Sequence, residues 1–297
     1  MKDTNQESKI LTRLIQWAEE RVLVRAMLLT SSRASKNAPV DILSDYDVVL
    51  YVSNTSPFAD SAAWLHDFGS LLVQFRDERD NSYGMHQYAR LVLYEEGTKI
   101  DFTIAPVDTL RKIVDEPTLP EGLDIGYRVL VDKERLTDRL KPPTYMAHVP
   151  RKPTEEEFRS LVEEFWWETT YVAKNLWRDD LFGAKYSLDS VIKFDVLRKI
   201  LEWYIEIDHN WSLKPGNVGR GLKKVLKPEI WLEVESTFAG ASIEENWRAL
   251  FKTTDLFRKI AISVAAKLGY EYPRELDDKV VKYLLKIRGL ENRAPGD

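Results

Sequence analysis

The chain has 297 residues, 44% hydrophobic and 31% charged, with a net charge of −5 and no cysteine. That is length and composition for two folded domains, and it excludes disorder, a disulfide framework, a thiolate zinc site and a cysteine nucleophile. The lack of a basic excess argues against a nucleic-acid polymer as partner, and an acidic surface draws cations instead. The polar opening MKDTNQESK and the lack of a run of ~18 apolar residues point to a cytoplasmic protein with neither signal peptide nor membrane span.

In chain order, Thr4 and Glu7 read as a capping box, and Ile10, Leu11, Leu14, Ile15 and Ala18 recur at helical spacing, predicting a helix over 5–21. The apolar run 23–30, bounded by Ser31-Ser32, predicts a buried strand. Residues 32–44, with Asn37 and Pro39, read as a loop with a short helical turn, and 46–52 as the next strand. A helix opened by Asp60 or Ser61 is predicted over 61–72. Residues 91–94 and 100–104 flank Glu95-Glu96-Gly97-Thr98 as a hairpin, which Pro106 ends. A helix over 107–114 and a strand over 128–133 follow.

The proline-rich stretch LKPPTYMAHVPRKPT marks a boundary, so we expect one domain over 1–147 and a second over 148–290, with a loose tail over 291–297. The second domain reads as all helical. It opens on a capping box, Thr154 with Glu157, and an apolar stripe of Phe158, Leu161, Val162, Phe165 and Trp166. Further helices are predicted over 185–209, 223–238, 243–268 and 276–287. The fold class is α+β: a mixed-sheet domain followed by an all-helical one.

Three aspartates carry the chemical argument. Asp45 and Asp47 are two apart at the head of a strand, so their side chains share a face. Asp101 sits between Ile100 and Phe102, where a sheet residue is expected. If its strand pairs beside 46–52, three carboxylates converge. Two of them ~4 Å apart repel by about 4 kcal/mol at an effective dielectric near 20, so such a cluster persists readily around a divalent cation. Oxygen-only ligands suit Mg²⁺. The small polar residues Ser31 and Ser32, with Arg33, follow a buried strand directly, in a position to hold phosphate oxygens. Each feature alone reads more readily as structure than as function: a solvated strand entry, the polar face of a hairpin, a turn. Their joint order is harder to assign to structure alone.

That order resembles the nucleotidyltransferase superfamily related to the palm of polymerase β, with its Gly-Ser, Asp-x-Asp and later acidic residue between hydrophobics. TSSRAS, SDYDVVLYVS, WLHDFG, KIDFTIAP, VLVDK, RKPTEEEFRSLVEEFWWETTYVAKNLWRDDLF and LRKILEW resemble successive blocks of the aminoglycoside 6-adenylyltransferase (streptomycin adenylyltransferase) family over nearly the whole chain. The resemblance implies a palm-like nucleotidyltransferase domain, a helical substrate- and nucleotide-binding domain, and transfer of AMP from ATP to a hydroxyl of a cationic aminoglycoside such as streptomycin, with Mg²⁺ and release of pyrophosphate. It implies Asp45, Asp47 and Asp101 as metal ligands, Asp101 also as general base, and Ser31, Ser32 and Arg33 on the triphosphate. Lys174 is a further phosphate candidate, or else a snorkelling surface lysine. Arg220 and Lys223 are others, or else part of a solvated loop. For a guanidinium-bearing acceptor, Glu95, Glu163, Glu164 and Asp195 supply charge and Trp64 a stacking face. Ser31 stands where the family has glycine, and a serine is expected there at negative φ. Two alternatives stay open: the same reaction on another small-molecule or protein hydroxyl, and a nucleotide-binding regulator with weakened catalysis.

Overall fold

The computed structural model describes residues 2–35, 40–213 and 217–290. The loop positions Asn37 and Pro39 and the tail 291–297 therefore lie outside the described residues. Contacts divide the chain into two compact units, 1–147 and 148–297.

The first unit is built on a six-stranded sheet. Its strands are β1 (Val24–Thr30), β2 (Tyr46–Val52), β3 (Leu71–Asp80), β4 (His86–Tyr94), β5 (Lys99–Pro106) and β6 (Tyr127–Asp132), in the order β3-β4-β5-β2-β1-β6. The pairing of β2 with β5 is parallel and the other four pairings are antiparallel. Period-two alternation gives the central strands two different faces. On one, Met27, Leu29, Val48, Leu50, Ile100, Phe102 and Ile104 are buried in a core with Leu14 and Trp17 of the helix Lys2–Glu19. On the other, Ala26, Leu28, Tyr51 and Ala105 pack beneath Leu110, Ile113 and Val114 of the helix Val107–Asp115. That cluster takes in Tyr51 and Ala105 but neither Asp47 nor Asp101, which lie on the same face four residues earlier on their strands.

The hairpin forms as its sequence suggests, with Gly97 at φ 87° in the turn. Two readings fail in this unit. The helix Lys2–Glu19 starts ahead of the expected Thr4 cap. The helix over 61–72 is a 3₁₀ segment, Ala63–Phe68, ended at Gly69, whose φ of 149° suits only glycine. Leu71 and Leu72 then enter β3, an edge strand exposed along nearly its whole length. Its residues LLVQFRDERD bury no alternate face, so no strand pattern is visible in them.

The second unit is helical. Thr154 caps the helix Glu155–Trp177: its hydroxyl accepts from the Glu157 N–H at 3.1 Å and the Glu157 carboxylate accepts from the Thr154 N–H at 2.8 Å. The predicted stripe of this helix is buried, and Phe165 stacks on Phe257 of the helix Ile243–Leu268 with ring centroids 3.6 Å apart. The helix expected over 185–209 is helical but takes π geometry over Tyr186–Leu197 before the α-helix Arg198–Glu206. The single helix expected over 223–238 is two, Leu222–Val225 and Pro228–Ser236. Pro228 forces the preceding residue into extended geometry, so it opens a helix and cannot continue one. The helix expected over 276–287 runs Arg274–Arg288. No described helix is long and apolar enough to cross a membrane.

Candidate active site

The parallel pairing of β2 with β5 sets Asp47 directly opposite Asp101. Residues opposite each other in register project to the same face. Asp45, two residues before Asp47, reaches the same place: the Lys99 ammonium donates to its Oδ2 at 2.6 Å and to Asp101 Oδ2 at 3.0 Å. Lys99 shares this face with Asp101 because it is two residues away along β5.

The cluster is electrostatically unsatisfied. Burial, with the neighbouring carboxylates of Asp101 and Asp45, pushes the Asp47 carboxyl up to about 6, against a hydrogen bond from Ser31 and the charge of Lys99. Burial also raises Asp101, against the hydrogen bond and charge of Lys99. For Lys99, burial pulls down while the hydrogen bonds to Asp45 and Asp101 pull up, and the net shift is upward. Asp101 Oδ1 is buried with no hydrogen-bond partner. A buried carboxylate oxygen left unpaired is costly, so the arrangement lacks positive charge at that point.

Ser31 and Ser32 lie on a 3₁₀ turn, Ser31–Ala34, that leaves β1 at this end of the sheet. Ser31 has φ 58°. The expectation of negative φ is thus overturned: serine occupies the left-handed conformation that glycine takes at lower cost. Its hydroxyl works against the upward shift of the Asp47 carboxyl, an influence glycine lacks. The turn packs closely on Gly126, where an added Cβ would stand 2.9 Å from the Ala34 carbonyl oxygen.

Arg33 is engaged by the protein itself. Its guanidinium donates to the backbone carbonyls of Ser44, at 2.8 Å, and Asp45, at 3.2 Å, and lies 4.0 Å over the Tyr46 ring. This clamps the segment that delivers Asp45. Trp64 also departs from its expected role. It is buried among Trp17, Phe58, Phe68 and Phe102, with its N–H donated to the Phe58 carbonyl, so it presents no face to a ligand. An indole with this many apolar neighbours at strand and helix spacing is core.

The remaining candidates are dispersed. Glu95 is exposed in the β4–β5 turn. Glu163 and Glu164 are exposed on the helix Glu155–Trp177 and line an open cleft with Trp167. Asp195 lines a different cavity of about 530 Å³ with Arg198, Glu202 and Trp203. The Lys174 ammonium lies 4.1 Å over the Tyr171 ring. Arg220 is exposed, and Lys223 pairs with Glu235 at 3.2 Å. Sequence reasoning did not single out Lys99, although its two-residue spacing from Asp101 on a strand was the available signal.

The donor set fits a divalent cation. It is all oxygen, it includes an orphaned buried carboxylate oxygen, and its members repel one another. Among the described residues no three acidic or imidazole side chains are yet gathered closely enough to enclose an ion, and the Lys99 ammonium stands between Asp45 and Asp101.

A family model described as streptomycin adenylyltransferase matches residues 4–287. The chain belongs to that family and is a nucleotidyltransferase enzyme. It is similar to the aminoglycoside 6-adenylyltransferase of Bacillus subtilis (strain 168), 28% identical over 280 residues, 93% of this chain and 96% of that one. The enzyme of the same name from Campylobacter jejuni is 27% identical over 282 residues, covering 94% and 95%. A crystal structure of an aminoglycoside 6-adenyltransferase from Bacillus subtilis aligns with 94% of this chain and 97% of its own, with a TM-score of 0.47 and 23% identity.

Proposed function

We propose that the protein transfers AMP from ATP to a hydroxyl of an aminoglycoside, with streptomycin the first candidate, and releases pyrophosphate in a Mg²⁺-dependent reaction. The observation that carries this reading is the register of β2 on β5, which opposes Asp47 and Asp101 and leaves Asp101 Oδ1 unpaired. The relatives' shared name supplies the acceptor class.

Asp45, Asp47 and Asp101 would hold the magnesium, which supplies charge against the phosphates and the departing pyrophosphate. Asp101 accepts the proton of the attacking hydroxyl. Its unpaired Oδ1 and its raised proton affinity suit that task better than a fully bonded carboxylate would. Ser31 and Ser32 offer hydroxyls and backbone N–H groups to the phosphates. Arg33 holds the Ser44–Asp45 backbone in position for the reaction. Of the candidates in the helical unit, Lys174 and Arg220 have charge to offer a phosphate, while Lys223 is already paired. A guanidinium-bearing acceptor finds carboxylates beside an indole twice: at Glu163 and Glu164 with Trp167, and at Asp195 with Trp203.

The test is pyrophosphate release from Mg-ATP with and without streptomycin, with mass spectrometry of the drug. A mass gain of one AMP that requires both Mg²⁺ and streptomycin supports the reading. Release that occurs only with a different hydroxyl compound keeps the reaction and replaces the acceptor. No release and no ATP binding refutes both.

A further inference from the structure

Lys99 has no part in the reaction as described, yet it makes the closest contacts in the site. Among the described residues it is the one cation paired with Asp45 or Asp101, and it pairs with both. Its side chain is 37% exposed, so it is not an ion locked in a core. It also leaves the cluster short of charge: one ammonium satisfies Asp101 Oδ2 while Oδ1 stays unpaired.

We propose that Lys99 is a built-in counter-ion that holds Asp45 and Asp101 before a divalent ion arrives and must release them when it binds, so that Lys99 lowers the affinity of the site for that ion. The inference rests on Asp45, Asp47 and Asp101 being the metal ligands.

Lys99 and a divalent ion compete for the same aspartates. The ammonium holds the Oδ2 atoms of Asp45 and Asp101, and an ion taken up on the free Asp101 Oδ1 draws on the same two carboxylate charges. Two cations set a few ångströms apart on the same carboxylates repel strongly, so ion binding works against both Lys99 ion pairs. The side chain is suited to yield. A lysine carries a compact charge on a flexible stem, whereas an arginine fork would clamp a carboxylate bidentately. Lys99 also lines a cavity of about 430 Å³ together with Glu96 and with Arg33, whose guanidinium is turned onto the Ser44 and Asp45 carbonyls, and this gives a displaced ammonium space and one acidic neighbour. The gain for the protein is that the three carboxylates keep their positions without metal, and that an ion held less tightly exchanges more readily with the metal-nucleotide pool.

The test is Mn²⁺ titration of the full chain without nucleotide, following free Mn²⁺ by electron paramagnetic resonance, for the wild type, Lys99→Met, Lys99→Arg and Asp47→Asn. Lys99→Met is expected to bind Mn²⁺ roughly three- to tenfold more tightly than wild type, the size of two half-exposed ion pairs. Lys99→Arg is expected to bind no more tightly than wild type, and Asp47→Asn to lose binding. In EDTA the Tm of Lys99→Met falls below wild type, and added Mg²⁺ raises it by more. Should Lys99→Met not fold, Lys99→Gln carries the same comparison. Mn²⁺ binding that Asp47→Asn abolishes but Lys99→Met leaves equal or weakens overturns the proposal and keeps the metal reading. Absence of Mn²⁺ binding in wild type and both neutral Lys99 variants overturns both.

Discussion

Asp277, buried in one unit, and Asp101, partly buried in the other, are the same residue type, and their surroundings differ in how many partners each is given. Asp277, 3% exposed, takes hydrogen bonds from Arg258 Nε at 2.6 Å and Nη2 at 2.7 Å and from the Tyr272 hydroxyl at 2.8 Å. Trp166 in turn donates to Tyr272 at 3.3 Å. Both carboxylate oxygens are used, and donating to Asp277 raises the proton affinity of Arg258. Asp101 has one oxygen on a lysine that also serves Asp45, and another with no partner. A buried acid that the fold has fully satisfied is a structural device. One that the fold leaves short of charge, beside two others, is suited to a ligand that brings charge with it.

The contrast can be broken most severely by mutation of each acid. Asp101→Asn and Asp47→Asn are each expected to lower turnover by at least ~10²–10⁴-fold in the pyrophosphate assay, with the urea midpoint unchanged or raised. A variant that kept wild-type turnover would remove that aspartate from the site. Asp277→Ala is expected to lower the unfolding free energy by about 2 kcal/mol in urea titration, because it takes the acceptor from Arg258 Nε and Nη2 and from the Tyr272 hydroxyl and leaves Arg258 only its pairing with Asp255. A loss below ~1 kcal/mol would mean the network is dispensable.

A gentler probe is pH. Asp47 titrates at about 6 in the fold against an ordinary value of 3.8. The folded state therefore holds this proton more tightly than the unfolded chain does. The resulting stabilisation is full below pH 3.8 and is lost as pH rises through 6. In EDTA the stability of wild type relative to Asp47→Asn should fall over that window, by on the order of 1 kcal/mol after allowance for solvent screening. A flat difference would show that the carboxylate is not under pressure. The smallest effect is expected for Ser31→Gly, which relieves a left-handed serine but removes the hydroxyl that favours the Asp47 carboxylate and loosens the unfolded chain. The net change in unfolding free energy should stay below about 1 kcal/mol. A larger loss would show that the hydroxyl matters more than the backbone strain.

What the sequence made legible follows from how local each signal is. β2, the β4–β5 hairpin and the Thr154 cap rest on alternation, a turn glycine and a four-residue motif, and all three formed. β3 carries no such signal, since an exposed edge strand has no buried face to alternate against. The helix break before Pro228 was written in the sequence, and apolar periodicity on both sides hid it. The three aspartates were readable as residues of interest. Their convergence depends on a parallel pairing between strands distant in the chain, and local pattern does not specify that. The φ of Ser31 and the turning of Arg33 onto backbone carbonyls depend on tertiary packing around the turn, as does the burial of Trp64 among four other aromatic rings.

The most direct test of the central claim is one pair of measurements on Asp101→Asn: the unfolding free energy in EDTA and the rate of AMP transfer in Mg-ATP. The account predicts stability equal to or above wild type, because an under-bonded carboxylate has been neutralised, together with loss of transfer. Loss of stability with transfer retained would make Asp101 a structural acid like Asp277 and contradict the account.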